Sequence, residues 1–194
     1  MPTAERDTRL TYDDFVLFPD DGLRHELIDG VHYVTPCPVT RHQLLVGRLH
    51  LAIGNYLEQR PGAGLLFMAP FDVIFSRWDV VEPDLLFVAG DQLEILTDAN
   101  IQGAPALVIE ILSPGTKKRD LGIKCDLFDR GGVREYWILD PKADELTIYR
   151  RRPEGDLAKV SQFAAATDAL STPLLPGFSL PLAKLFAPLF PERR

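Results

Sequence analysis

Short apolar runs separated by turn residues dominate the pattern of hydrophobic and polar positions in this chain. The run over residues 106–112 is apolar on both faces and rich in β-branched side chains, which predicts a buried central strand. Within 24–34, Asp29 and Gly30 separate two stretches of alternating polarity and predict a β-hairpin. Further strands are predicted at 65–68, 71–75, 85–88, 134–139 and 146–150.

Helical patterns occur between these runs. Apolar residues recur on one face over 40–58 and predict a helix with Thr40 as its cap. A second helix is predicted over 117–129, and Thr11 and Asp14 form a capping-box pattern at the start of a short helix. This order of helices and strands predicts an α/β fold with a mixed central β-sheet flanked by helices.

The composition fits one globular domain over residues 1–194. The chain has 194 residues, of which 46% are hydrophobic and 25% charged, enough for a full-sized core. Its proline-rich tail, about 151–194, predicts extended packing and a short C-terminal helix. No window approaches a transmembrane length, and the N-terminus lacks the apolar stretch of a signal peptide.

Charge and cysteine usage narrow the function classes. The net charge is −7, from 28 acidic and 21 basic residues, which argues against a protein that coats nucleic acid non-specifically. It leaves a nuclease open, because a metal site needs carboxylates. The two cysteines, Cys37 and Cys125, have no metal-type spacing and predict no disulfide framework, so a cytoplasmic location is expected.

Glu110 is the strongest candidate for a functional residue. It interrupts the buried run 106–112, and an ionised carboxylate there is costly unless a positive partner meets it. The two readings are a metal ligand and a structural ion pair, and the metal ligand is favoured because buried charges often mark function.

Asp84 and Lys124 are predicted to share the site of Glu110. Asp84 follows Pro83 at the start of a strand, where it could ligate Mg²⁺ or Mn²⁺ or serve only as a turn residue. Lys124 lies on the apolar stripe of its helix and would direct its ammonium toward the carboxylates. The alternative for Lys124 is an ion pair with Asp120 on an exposed helix face.

Glu26 and His42 are weaker candidates. Glu26 precedes the hairpin turn, and His42 lies in the first turn of its helix, on the apolar face. The basic run 117–119 stands near a helix start, where a bound phosphate would offset the cost of cations at a positive helix end. A solvated surface run is the simpler explanation for each of its members.

These segments together resemble the Uma2 (DUF820) family of inferred endonucleases, a branch of the PD-(D/E)XK restriction-endonuclease-like superfamily. The resemblance spans about residues 11–150. The matching stretches are 25–30 (HELIDG), His42, 82–85 (EPDL), 108–114 (VIEILSP), Asp120, Lys124 and 132–141 (GVREYWILDP).

The resemblance implies a restriction-endonuclease-like α/β core and a divalent-metal site. By position, Asp84 and Glu110 would be the metal ligands, and Glu26 would be the additional acid. The superfamily motif places a lysine two residues after the second acid, where this chain has Leu112. Lys124, on the following helix, is the matching lysine of the Uma2 pattern.

The function hypothesis is a Mg²⁺- or Mn²⁺-dependent endonuclease that hydrolyses phosphodiester bonds of nucleic acid, with DNA as the favoured substrate. Asp84, Glu110, Lys124, Glu26 and His42 would carry the chemistry. Two alternatives stay open: a non-catalytic nucleic-acid-binding or regulatory protein on the same fold, and a structural protein with a buried Glu110–Lys124 ion pair. The resemblance also allows a homodimer, because fold relatives that cut duplex DNA commonly pair.

Overall fold

The computed structural model describes residues 9–35, 37–164 and 168–188. The helices are α1 (Tyr12–Phe15), α2 (Thr40–Glu58), α3 (Lys117–Leu121), α4 (Ile123–Gly131) and α5 (Leu182–Leu185). The strands are β1 (Arg24–Ile28), β2 (Val31–Thr35), β3 (Gly64–Met68), β4 (Val73–Ser76), β5 (Asp79–Val81), β6 (Leu85–Ala89), β7 (Ile101–Gln102), β8 (Leu107–Ile111), β9 (Glu135–Asp140), β10 (Glu145–Arg151), β11 (Leu157–Ala164), β12 (Ala169–Leu170) and β13 (Leu180–Pro181).

Two mixed sheets organise the fold. The larger sheet has six strands in the order β11-β10-β9-β8-β6-β3, and the smaller has five in the order β2-β1-β5-β4-β7. In the larger sheet β8 pairs parallel with β9 and antiparallel with β6, so β8 is the central strand that the apolar run predicted. The expected α/β architecture, with a mixed sheet flanked by helices, is confirmed.

The six-stranded sheet is covered on both faces. On one face, Leu49 and Ile53 of α2 pack with Ile109 of β8 and with Leu182 of the C-terminal segment. On the other face, Phe128 of α4 and residues of the five-stranded sheet pack against the alternate strand positions. Because successive side chains of a strand point to opposite faces, this double cover explains why β8 is apolar throughout except at Glu110.

The predicted hairpin turn and the predicted capping box of α1 agree with the structure. Asp29 and Gly30 have φ angles of 53° and 73°, the left-handed conformations that a two-residue hairpin turn requires. Thr11 and Asp14 form the capping box at the start of α1. Among the described residues, no helix is long and apolar enough to cross a membrane.

The structure corrects the helix predictions in two places. The helix predicted over 117–129 is two helices, because Gly122 between α3 and α4 leaves the helical conformation, with φ −115° and ψ −104°. Thr40 is the first residue of α2 and not its cap; Val39 holds that position and has no capping side chain. Glycine tolerates conformations that interrupt a helix, and its place in the predicted segment was the available signal.

The tail is more regular than its prolines suggested. β11, an eight-residue strand, pairs antiparallel with β10 at the edge of the six-stranded sheet. The short helix predicted near the C-terminus is α5. The parts of the tail prediction at 165–167 and 189–194 lie outside the described residues.

Candidate functional site

A cavity of about 130 Å³ lies between the two sheets. Its wall takes side chains from β1, β8, α2, α3 and α4. The segment 82–84 runs from β5 of the five-stranded sheet to β6 of the six-stranded sheet and brings Asp84 into this wall. Pro83 within the segment cannot donate a backbone hydrogen bond, which suits a chain that leaves one sheet before it enters the next.

Asp84 is 3% exposed, and both of its carboxylate oxygens accept hydrogen bonds. Arg24 donates from Nη1 to Oδ1 at 2.7 Å, while His42 Nε2 and the backbone N–H of Ile111 reach Oδ2 at 2.9 Å and 2.8 Å. Burial alone would raise the pKa of Asp84. The hydrogen bond from His42 and the charge of Arg24 outweigh burial and hold this pKa at about 2. Asp84 is therefore ionised at neutral pH.

Glu110 faces Lys124 inside the same cavity. Lys124 Nζ lies 2.7 Å from Oε1 of Glu110 and 2.7 Å from Oε1 of Glu26, so one ammonium holds two carboxylates. Burial raises the pKa of Glu110 to about 8, although Lys124 opposes this rise. Burial would lower the pKa of Lys124, but Glu110 and Glu26 raise it above its ordinary value, so the lysine is charged.

Asp120 and Arg119 complete the group around Glu26. Asp120 Oδ1 lies 3.9 Å from Lys124 Nζ, and burial raises the pKa of Asp120. Arg119 Nη2 lies 3.3 Å from Glu26 Oε2 and donates to the hydroxyl of Thr35. The alternative pair that the sequence suggested for Lys124 and Asp120 is thus present, but it is buried and not on an exposed helix face.

A groove of about 450 Å³ opens onto the cavity. Arg24, His42, Glu82 and Asp84 line both, so they mark the passage between groove and cavity. Burial, together with the negative charges of Asp72 and Glu26, raises the pKa of Glu82 to about 7. A ligand that lies in the groove could therefore reach the buried carboxylates through this passage.

The carboxylate oxygens of the cavity suit a hard divalent cation. Oε2 of Glu26 and Oδ1 of Asp120 are buried without a hydrogen-bond partner, and carboxylate oxygens are the ligands that Mg²⁺ and Mn²⁺ prefer. Within 9–35, 37–164 and 168–188, however, no three histidine, cysteine, aspartate or glutamate side chains form a ready metal cluster. An ion bound to Asp84 would share its carboxylate with the donors of Arg24, His42 and Ile111.

The structure brings all five predicted site residues to one cavity: Glu26, His42, Asp84, Glu110 and Lys124. Their catalytic and metal-binding roles stay predictions. The Glu110–Lys124 ion pair that the structural alternative required is also present, so its geometry does not separate the two hypotheses.

Sequence reasoning missed four residues of the site. Arg24 looked like an ordinary strand start, Glu82 and Asp120 were not selected, and Arg119 was grouped with its exposed neighbours. Asp120 and Glu82 carried a signal, because each belongs to a segment that resembles Uma2. Arg24 and Arg119 carried none that distinguishes them from surface cations, since their burial depends on tertiary packing.

Stability should depend on pH through Glu110 and Glu82. In the folded protein the pKa values are about 8 for Glu110 and about 7 for Glu82, above the ordinary value of 4.5. Between the ordinary pKa and these raised values, the folded state binds more protons than the unfolded state. The free energy of unfolding should therefore fall as pH rises from about 5 to about 8. Urea denaturation in EDTA across this range measures it. Glu110→Gln should flatten the profile, and an equally steep profile in that variant would contradict the assignment.

Comparison with known proteins identifies the family. The model of the Uma2 family, described as "Putative restriction endonuclease", matches residues 12–183. A solved structure described as "a putative nuclease belonging to DUF820" from Anabaena variabilis ATCC 29413 shares the fold, with a TM-score of 0.76 and 20% sequence identity, over 91% of this chain and 97% of that chain. No curated protein matches. The match over most of the chain, with the fold it shares, shows that this protein belongs to the Uma2 family.

Proposed function

We propose that this protein is a divalent-metal-dependent endonuclease that hydrolyses phosphodiester bonds, with DNA as its substrate. The observation that carries the proposal is the cavity itself. It gathers Glu26, Asp84, Glu110, Asp120 and Lys124 and opens to a groove, and two of its carboxylate oxygens lack a hydrogen-bond partner. A buried acidic cluster of this kind is costly unless cations compensate its charge, and a bound metal ion would add to the charge that Lys124 supplies.

In this proposal Asp84 and Glu110 hold Mg²⁺ or Mn²⁺. When bound, the ion supplies charge that polarises the phosphate and lowers the pKa of a bound water. Asp84 is ready for this role because its pKa of about 2 keeps it ionised. Glu110 must release its proton, and the ammonium of Lys124 at 2.7 Å from Oε1 favours that release.

The remaining residues orient these groups and handle charge. Lys124 would donate from Nζ to the attacking water or to a phosphate oxygen that gains negative charge. His42 fixes Oδ2 of Asp84 by a hydrogen bond, and Glu26 Oε1, 2.7 Å from Nζ, holds the ammonium of Lys124 in place. An ionised carboxylate only accepts hydrogen bonds, so Nε2 of His42 carries the proton.

The proposal extends to a homodimer, because a twofold dimer would place one site at each strand of a duplex. Light scattering behind a sizing column measures the mass in solution. A cytoplasmic location, expected from the cysteine usage, stays a prediction.

Metal dependence is the direct test of the proposed function. Wild-type protein should nick supercoiled plasmid with Mg²⁺ or Mn²⁺, and EDTA should stop the reaction. Calorimetric titration of Mn²⁺ should show binding by the wild type and none by Glu110→Ala. Glu135→Gln is the matched control, because Glu135 is a buried glutamate outside the cavity that bonds Arg150 and Trp137.

The Glu110–Lys124 ion pair favours one alternative function, a non-catalytic protein on the same fold. Folded wild type that binds no Mn²⁺ and nicks no plasmid would support a structural role for that pair. Tight DNA binding whose affinity does not depend on Mg²⁺, without cleavage, would instead support a nucleic-acid-binding or regulatory protein.

A further inference from the structure

Arg119 is a buried cation whose bonding is incomplete. Its side chain is 10% exposed and lines the cavity. Nη2 donates to the hydroxyl of Thr35, and the guanidinium also lies over the ring of Tyr33, 5.4 Å from its centroid. Two residues of β2 therefore hold this guanidinium in place from outside the acidic cluster.

The Nε of Arg119 is buried and has no hydrogen-bond partner. Glu26, the carboxylate nearest to the guanidinium, is held by Lys124 at 2.7 Å, while Arg119 approaches it only at 3.3 Å, without a hydrogen bond. Arg119 therefore contributes only an ion pair to Glu26 through Nη2 and leaves its Nε–H free of any hydrogen bond. A buried donor without a partner is unusual in a folded protein and indicates a missing acceptor.

The neighbouring cations of α3 are different. Lys117 bonds Asp140 at the surface, and Lys118 is exposed. α3 is too short to act as an anion site through its helix end, so the earlier explanation by helix polarity does not apply. Within the basic run, the side chain of Arg119 alone lines the cavity.

We propose that Arg119, held by Thr35, binds the non-bridging oxygens of the phosphodiester that enters the cavity. Guanidinium presents a rigid fork of N–H donors that matches phosphate oxygens, and Nε is the free member of that fork. The cavity of about 130 Å³ has room for roughly four waters, which suits one phosphate group and excludes a base pair. This inference rests on the proposed function and names the residue that would recognise its substrate.

The site explains how an anion could approach an acidic cavity. Arg24 at the passage neutralises Asp84, with Nη1 at 2.7 Å from Oδ1. Arg119 lines the cavity and adds a second positive charge there. The acids Glu26, Glu110 and Asp120 still oppose an anion, so phosphate binding should strengthen when a hard cation is present.

NMR can observe the Nε–H group of Arg119 directly. In a buffer with Ca²⁺, titration with the dinucleotide TpT, which has a single phosphodiester, should shift this resonance saturably. Arg119→Gln should weaken TpT binding about 10- to 100-fold, as expected for loss of a charged hydrogen bond. Arg119→Lys keeps the charge but lacks the fork, so it should also bind more weakly than wild type.

Lys118→Gln is the matched control, because it removes one positive charge from the same helix at an exposed position, and it should bind like the wild type. The proposal is overturned if TpT leaves the Nε–H resonance unmoved, even where inorganic phosphate moves it. It is also overturned if folded Arg119→Gln binds TpT as tightly as wild type. If Arg119→Gln does not fold, Arg119→Lys decides by the same comparison. TpT binding that depends on Arg119, without any cleavage, would reject the nuclease proposal and support the anion site. Cleavage combined with TpT binding that does not depend on Arg119 would support the nuclease and reject the anion site.

Discussion

Asp84→Asn and Glu110→Gln should each slow phosphodiester cleavage by roughly 100- to 1000-fold, the usual effect of losing one electrostatic group that stabilises the transition state. Both changes remove a carboxylate charge while the side chain keeps its size. Glu110→Gln can still accept from Lys124, whereas Asp84→Asn turns an amide toward Arg24 or toward His42 and Ile111, where donors already point. Initial rates of plasmid nicking at saturating Mn²⁺ measure the effect.

Folding must be separated from chemistry in this experiment. Circular dichroism and urea denaturation should show that Glu110→Gln is folded at the assay temperature. Glu135→Gln loses a buried glutamate charge in the same sheet, away from the cavity, and should retain wild-type rates. Wild-type rates in both Asp84→Asn and Glu110→Gln would remove these carboxylates from the mechanism.

Lys124→Met should be the most destabilising change at the site. Lys124 is 3% exposed and is the cation that Glu26 and Glu110 share, so its loss leaves buried carboxylates unpaired. We expect a loss of about 3–5 kcal/mol in the free energy of unfolding at about pH 9. The loss should be smaller at about pH 6, because carboxyl groups left without the lysine can take up protons there. Urea denaturation at both pH values measures it.

A double-mutant cycle measures the interaction energy between Glu110 and Lys124. Glu110→Gln combined with Lys124→Met should cost less than the sum of the single changes, because residues in direct contact are coupled. Lys118→Met, at an exposed position of α3, should change stability by about 0.5 kcal/mol or less. A Lys124→Met protein as stable as wild type at both pH values would show that this lysine does not hold the carboxylates.

Much of this fold follows from local sequence patterns. The apolar run around Glu110 predicted a central strand because both sheet faces need apolar cover, and β8 has that position. Asp29 and Gly30 predicted the hairpin because two consecutive left-handed residues are rare outside such turns. The break at Gly122 was missed although the glycine signalled it, and the pairing of β11 with β10 was missed because the prolines of the tail favoured extended packing.

The candidate site was predicted less completely than the fold. Glu110 and Lys124 stood out because a charge on an apolar face needs a partner, and the two are 2.7 Å apart. The fixation of Asp84 by Arg24 and Ile111 depends on the placement of β1 beside β5 and of β8 beside β6, which periodicity does not specify. Arg119 and its exposed neighbour Lys118 carry the same charge within one basic run. Only the contacts of Arg119 with β2 in the folded protein distinguish the two side chains.

The crossing of segment 82–84 between the sheets has a consequence for synthesis of the protein. The cavity needs β1 near the start of the chain, Asp84 in the middle, and Lys124 on α4. A nascent chain that has not emerged past Lys124 lacks a wall of the cavity, and neither sheet alone assembles it. Any cutting activity would therefore begin only after both sheets have docked.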